Sequence, residues 1–143
     1  MSSFNDCNVS IQVSLHWGDQ DLFGHVNNVH FIRWFESSRV RYMEELGIAV
    51  SREGVGPILA SVTCNYKQQV KYPDTLSIGT RTRAIGITSL TLEHFVWSDQ
   101  QQATVADGIS VVVLFDYPAQ SKQPVSDELR ARIGQLDAGS GAT

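Results

Sequence analysis

Between Asn28 and Gly47 the chain carries one long amphipathic stretch with an aromatic inner stripe, and this constrains the fold more than any other feature of the sequence. Phe31, Trp34, Phe35, Ser38, Tyr42 and Leu46 recur at helical spacing, with Arg33, Glu36, Ser37, Arg41 and Glu44 on the other side. Asn27 or Asn28 opens the helix, because an asparagine oxygen accepts from a free amide of the first turn. Gly47 supplies the left-handed stop. So much aromatic surface on one face needs a broad partner, and the rest of the chain offers strands. Val9, Ile11, Val13 and Leu15 alternate before the helix. After Gly56-Pro57 the pattern predicts strands over 58–69, 75–84, 89–97 and 104–115. Tyr72-Pro73-Asp74, Gly86 and Ser98-Asp99-Gln100 mark the turns. Residues 109–115 are almost unbroken apolar sequence, which predicts a strand covered on both faces. Gly79, Gly86 and Gly108 are expected where the sheet bends or bulges. A shorter amphipathic helix is expected over 126–136, with Ser126 as N-cap and Glu128 in its first turn. The expected architecture is α+β: a curved antiparallel sheet wrapped around one long central helix. With 143 residues, no repeats and no linker, one domain spanning 1–143 is expected, its last residues 138–143 a flexible tail.

Bulk properties narrow the partners. The formal net charge is −4, which gives no basic field to hold nucleic acid by counterion release, and a membrane surface is disfavoured on the same ground. No stretch approaches the roughly 18 consecutive apolar residues of a membrane span. The N-terminus has neither the positive start nor the apolar run of a secretory signal. Cys7 and Cys64 form no metal or redox spacing, so reduced thiols in a cytoplasm are the expectation.

The chemistry concentrates in one short segment, Trp17-Gly18-Asp19-Gln20-Asp21-Leu22-Phe23-Gly24-His25-Val26-Asn27-Asn28. With D-x-D-x-x-G-H-V-N-N, an aromatic helix after it, Glu36-Ser37-Ser38-Arg39 as an E-x-x-R, and the later Tyr72-Pro73-Asp74-Thr75-Leu76 and Ile85-Gly86-Ile87-Thr88-Ser89, the sequence resembles hotdog-fold acyl-CoA thioesterases of the 4-hydroxybenzoyl-CoA thioesterase type. The likeness runs from about Val9 to Phe115. It implies the hotdog fold and hydrolysis of an acyl-CoA to a free acid and CoA. Asp21 matches the carboxylate that attacks the thioester or activates water. Asn28 matches the position whose backbone N–H polarises the carbonyl, with Gly24 and His25 completing the catalytic segment. Phe23, Asn27, Phe31, Ser89 and Arg83 are the expected substrate contacts. The resemblance further implies a homodimer or homotetramer with each site shared between subunits, and no cofactor or metal beyond the coenzyme A of the substrate.

Physical chemistry agrees with these roles. Thioester hydrolysis needs a nucleophile or general base beside the carbonyl carbon and hydrogen-bond donors on its oxygen. A helix start supplies free N–H groups and a partial positive charge, and Gly24 lets backbone approach a ligand closely. Other readings stand beside this one. Asp19 fits a turn former that bonds loop amides. His25 could orient Asp21, transfer a proton or serve structurally. Glu36 is the reserve carboxylate, against a solvated face or a pair with Arg33 or Arg39. A metal on Asp19, Asp21 and His25 would lack a second His or Cys pair at ligand spacing. The sequence contains no G-x-S-x-G elbow. The turn at Ile85-Gly86-Ile87-Thr88 has no charge where some relatives hold the nucleotide phosphates, which leaves Lys67, Lys71, Arg81 and Arg83 as substitutes. A non-catalytic acyl-CoA-binding module and a thioesterase acting on an acyl-carrier protein are the alternative functions.

Overall fold

The computed structural model describes residues 2–48 and 53–138. Helix α1 (Val29–Glu45) buries Phe31, Trp34, Phe35, Ser38, Arg39, Tyr42 and Met43, and Arg33, Glu36, Ser37, Arg41 and Glu44 are exposed. The helix ends as expected on Gly47, whose φ is +77°. Gly47 N–H reaches the Glu44 carbonyl and Ile48 N–H the Met43 carbonyl, both at 3.0 Å, so a left-handed residue turns the following amides back onto the carbonyls of the last turn.

The strands are β1 (Val9–Ser14), β2 (Val55–Tyr66), β3 (Thr75–Ile85), β4 (Ser89–Ser98), β5 (Ala103–Asp116) and the short β6 (Ser121–Lys122). They form one antiparallel sheet in the order β1-β3-β4-β5-β2, with β6 added at the end of β5. Helix α1 lies across β1 and β3. Helix α2 (Asp127–Asp137) starts at Ser126, whose hydroxyl accepts from Leu129 N–H at 3.1 Å, and it buries Leu129 and Ile133. The sheet around a dominant central helix is the hotdog arrangement. Of the expected tail 138–143, all but Ala138 lies outside the described residues.

The structure corrects three expectations. Strand β2 runs Val55–Tyr66 rather than 58–69. Pro57 is tolerated inside it because β2 is an edge strand, where a missing N–H leaves no ladder partner wanting. Lys67 and Gln68 leave the ladder because both their amides turn onto the Val105 carbonyl, at 2.8 and 3.2 Å. Residues 109–115 are not covered on both faces: Ser110, Val112 and Leu114 are buried and the intervening residues only half-buried. The bulges fall at Leu59/Ser61, Thr82/Ala84 and Val96/Trp97, not at the glycines. Gly79 and Gly108 sit in regular ladder, and Gly86 in the turn joining β3 to β4. Of the alternatives for Glu36, the structure has the exposed face, and Arg39 is not its surface partner. It is buried, and its Nη1 donates to Ser110 Oγ at 3.2 Å.

Gly108 is present for close approach. A Cβ there would strike the Thr63 carbonyl oxygen and lie 2.5 Å from Phe35 Cε2. Glycine therefore lets Phe35 lie against the strand. Gly108→Ala is expected to cost about 1–3 kcal/mol through overpacking and to lower the thermal midpoint by roughly 4–10 °C. An unchanged midpoint in a melting scan would show that both the Thr63 carbonyl and Phe35 have room to move aside.

The core has two apolar bodies. One gathers Phe31, Trp34 and Phe35 with Leu76, Ile78 and Val96. The other gathers Tyr42, Met43 and Leu46 with Leu90, Leu92 and Val112. On α1, β3, β4 and β5 in turn, the boundary between them is polar. Ser38 Oγ lies 2.6 Å from Thr80 Oγ1, which lies 2.8 Å from His94 Nδ1; His94 Nε2 is 2.7 Å from Ser110 Oγ. One arrangement of protons satisfies the whole chain. Arg39 donates to Ser110, Ser110 to His94 Nε2, His94 Nδ1–H to Thr80 and Thr80 to Ser38. Ser38 then donates to the Ile78 carbonyl at 3.1 Å. Each hydroxyl donates once and accepts at least once, so this buried belt has no unpaired member.

Candidate active site

The loop before α1 is tied at every turn. Asp19 Oδ2 accepts from His16 N–H at 2.8 Å, which makes Asp19 the loop tie its turn chemistry predicts. Gln20 and Val26 form a β-bridge that closes the residues between them into a tight loop. Asp21 N–H reaches the His25 carbonyl at 2.7 Å and Gly24 N–H the Asp21 carbonyl at 3.1 Å. The turn requires Gly24 at φ +78°, a conformation that side chains disfavour. Val26 N–H donates to the Val70 carbonyl at 2.8 Å, fastening the loop to the segment beyond β2.

Inside this frame Asp21 Oδ1 accepts from Phe23 N–H at 2.9 Å and more weakly from His25 N–H at 3.4 Å. Among the described residues, Asp21 Oδ2 has no partner. His25 thus meets Asp21 through its backbone rather than its ring. At the helix start, Asn27 provides the cap that sequence left open between two asparagines. Its Oδ1 accepts from Val29 N–H at 3.2 Å, and its carbonyl accepts from His30 N–H at 3.1 Å. Asn28 already has helical angles, φ −55° and ψ −31°, and makes no side-chain cap bond. Its carbonyl accepts from Phe31 N–H at 3.2 Å. Among the described residues the Asn28 N–H has no acceptor.

Asp21, His25, Asn28 and Phe31 line one cavity of about 240 Å³, together with Tyr66, Gln68 and Gln69 from the end of β2 and beyond. Tyr66 donates its hydroxyl to the Asn28 carbonyl at 3.1 Å, and its ring meets Phe31 edge-on at 5.3 Å. Desolvation, then the neighbouring Cys64 thiol, pushes the Tyr66 hydroxyl up to about 12. Nothing in the sequence singles out Tyr66, Gln68 or Gln69, since only the folded register brings the end of β2 to the helix start.

The other expected contacts lie elsewhere. Phe23 is exposed at the loop tip. Arg83 lines a neighbouring cavity of about 490 Å³ with Glu93 and Asp107, and Lys67 lines both this cavity and the one at Asp21. Ser89 begins β4, seven residue steps from Val96, which pairs through Ala106 with Tyr66; at strand rise this is roughly 23 Å. Of the basic candidates, Lys67 is paired with Asp107 at 2.8 Å and Arg81 lies 3.7 Å from Glu93. Lys71 lines a groove that shares Gln68 and Gln69 with the Asp21 cavity. Glu36 is exposed on the outer helix face, away from the cavity lining.

A helix start and a carboxylate open on one cavity of a hotdog sheet, the parts that thioester hydrolysis requires. Residues 15–133 match the thioesterase-like superfamily, and the chain belongs to that family. The uncharacterized protein YsmA of Bacillus subtilis (strain 168) is 32% identical over 102 residues, 71% of this chain and 69% of that protein. The long-chain acyl-CoA thioesterase FadM of Escherichia coli (strain K12) is 20% identical over 127 residues, 87% of this chain and 96% of FadM. Among solved structures, the PA2801 protein of Pseudomonas aeruginosa superposes with a TM-score of 0.80 at 30% identity, covering 89% of this chain and 98% of that one. A thioesterase from Thermus thermophilus, complexed with coenzyme A and Zn, gives 0.80 at 26% identity over 92% and 96% of the two chains.

Proposed function

We propose that this protein hydrolyses an acyl-CoA thioester to the free carboxylic acid and CoA. The observation that carries the proposal is the pairing of two unclaimed groups on one cavity, Asp21 Oδ2 and the Asn28 N–H. A thioester carbonyl between them would meet a nucleophile or base on its carbon and a donor on its oxygen. As water adds and the C–S bond breaks, the electron pair and one proton go to the CoA sulfur. The carbonyl-oxygen charge that develops on the way falls at the positive end of α1. Coenzyme A as the acyl carrier is supported by the complex of the Thermus thermophilus relative and by the acyl-CoA thioesterase activity of FadM. Lys67, on the cavity itself, and Lys71, in the adjoining groove, are the basic residues placed for a CoA phosphate.

The functional unit in this reading is a homodimer or a homotetramer built from it. Ile58 and Leu59 are exposed on edge strand β2, and Leu22, Phe23 and Val29 are exposed beside the site. Ser89 lies too far along the sheet to serve the same chain's Asp21, and a second copy would be needed to bring it in. Thiol release measured across short, long and aromatic acyl-CoAs, with an acylated carrier protein in parallel, tests the proposal. Release from at least one CoA thioester is expected. Tight acyl-CoA binding without release would make the protein a binding module instead, and release from the carrier protein alone would move the substrate class.

A further inference from the structure

We propose that Tyr66 is a positioning residue for this reaction: its hydroxyl, donated to the Asn28 carbonyl, holds Asn28 so that the N–H of the same residue stays aimed into the cavity. The inference rests on the roles given above to Asp21 and Asn28. Three observations carry it. First, the first turn of α1 is weakly held where it matters. Asn28 makes no side-chain cap bond, and its carbonyl takes the short i→i+3 bond from Phe31 N–H at 3.2 Å. Helix ends fray when so little backs them. The Tyr66 hydroxyl adds a second donor to that carbonyl at 3.1 Å, across 38 residues of sequence.

Second, the donor is mounted on a rigid element. Tyr66 is the last residue of β2 and pairs with Ala106. Directly after it, Lys67 and Gln68 both bond the Val105 carbonyl, so the strand end cannot peel away without breaking three contacts. Third, the ring is braced. Its edge contact with Phe31, at 5.3 Å, continues to the Phe31–Trp34 pair at 5.2 Å, which belongs to the apolar body beneath the helix start. A donor for a developing oxyanion is effective only when it is already oriented, and small misplacements of reacting groups cost disproportionately in rate. Tyr66 touches no reacting atom in this arrangement. It acts through Asn28.

Tyr66→Phe removes the hydroxyl and keeps the ring, so steady-state thiol release from the best acyl-CoA substrate is the test, with Asp21→Asn and a melting scan alongside. The expected result is a kcat lower by about tenfold, the loss of one net hydrogen bond's worth of orientation, with KM within about twofold and a thermal midpoint close to wild type. Faster amide exchange at Asn28 and Val29 in the Phe variant, followed by NMR, is the independent sign that the helix start has loosened. An unchanged kcat in Tyr66→Phe, when wild type is active and Asp21→Asn is not, overturns this role alone. A lower midpoint with full kcat also overturns it, by making Tyr66 structural. No thiol release from wild type overturns this role and the function beneath it together.

Discussion

Asp21→Asn is expected to retain its fold and lose thiol release by about 10²–10⁴-fold, the range for removing a positioned general base. The substitution is nearly isosteric. An amide oxygen at Oδ1 can still accept from Phe23 N–H, which Asp21 now holds at 2.9 Å, so the tight turn through Gly24 survives. The missing group is the charged Oδ2, the oxygen that no loop amide claims. Because Asp21 is exposed, no buried charge is stranded, and the thermal midpoint should stay within about 2 °C of wild type, as for most surface changes. Glu36→Gln, on the outer face of α1, serves as the comparison and should keep its rate within about twofold. Activity that persists in a folded Asp21→Asn protein would remove Asp21 from the mechanism. Loss in Glu36→Gln instead would hand the role to the helix carboxylate.

Acid should destabilise the fold in a window set by His94. The imidazole is fully buried, stacks on Phe35 at 4.7 Å, and is held between Thr80 and Ser110. Burial first, and the nearby Arg39 charge second, pull it down to about 3. In the unfolded chain it returns to about 6.5. Between these values the unfolded state binds the extra proton, so stability is intact above about pH 6.5 and falls as the pH drops toward 3, at up to about 1.4 kcal/mol per pH unit. Protonation would also turn Nε2 from acceptor to donor against Ser110, whose oxygen already takes the Arg39 proton. Urea unfolding of wild type and His94→Gln at several pH values from 7.5 to 4 isolates the contribution. The glutamine protein should be less stable at pH 7.5 but lose less on acidification. Parallel losses in the two proteins would contradict the assignment. In wild type, the His94 ring signals should show no titration by NMR down to about pH 4.

Much of this was legible in the chain because the relevant signals are local. The stripe from Phe31 to Leu46, the stop at Gly47 and the cap at Ser126 each depend on neighbours within a few residues. So does the loop holding Asp21, Gly24 and the helix start, a single short segment. What could not be read depends on register between distant strands. The bulges lie at Leu59/Ser61, Thr82/Ala84 and Val96/Trp97, where no glycine or proline announces them, whereas Gly108 answers to Phe35 and the Thr63 carbonyl. Arg39 looks from its spacing like a surface partner for Glu36, and only the pairing of β5 against β4 places Ser110 where it can receive the guanidinium. Tyr66 is invisible for the same reason. Ser89 belongs to the expected constellation by resemblance, yet sheet geometry sets it at a distance from the Asp21 cavity.

The polar belt through the core acts as a detent. Two apolar bodies alone would let an aromatic helix slip along the sheet with little penalty, since one greasy contact replaces another. Moving α1 by a single turn, about 5.4 Å, would carry Ser38 and Arg39 off Thr80 and Ser110 and press them against leucine, isoleucine and valine, stranding hydroxyls, an imidazole and a cation in a dry interior. Only one axial setting keeps them all matched. Asn28 lies ten residues up the same rod, roughly 15 Å away, so its position at the mouth of the cavity is indexed by a lock in the middle of the molecule.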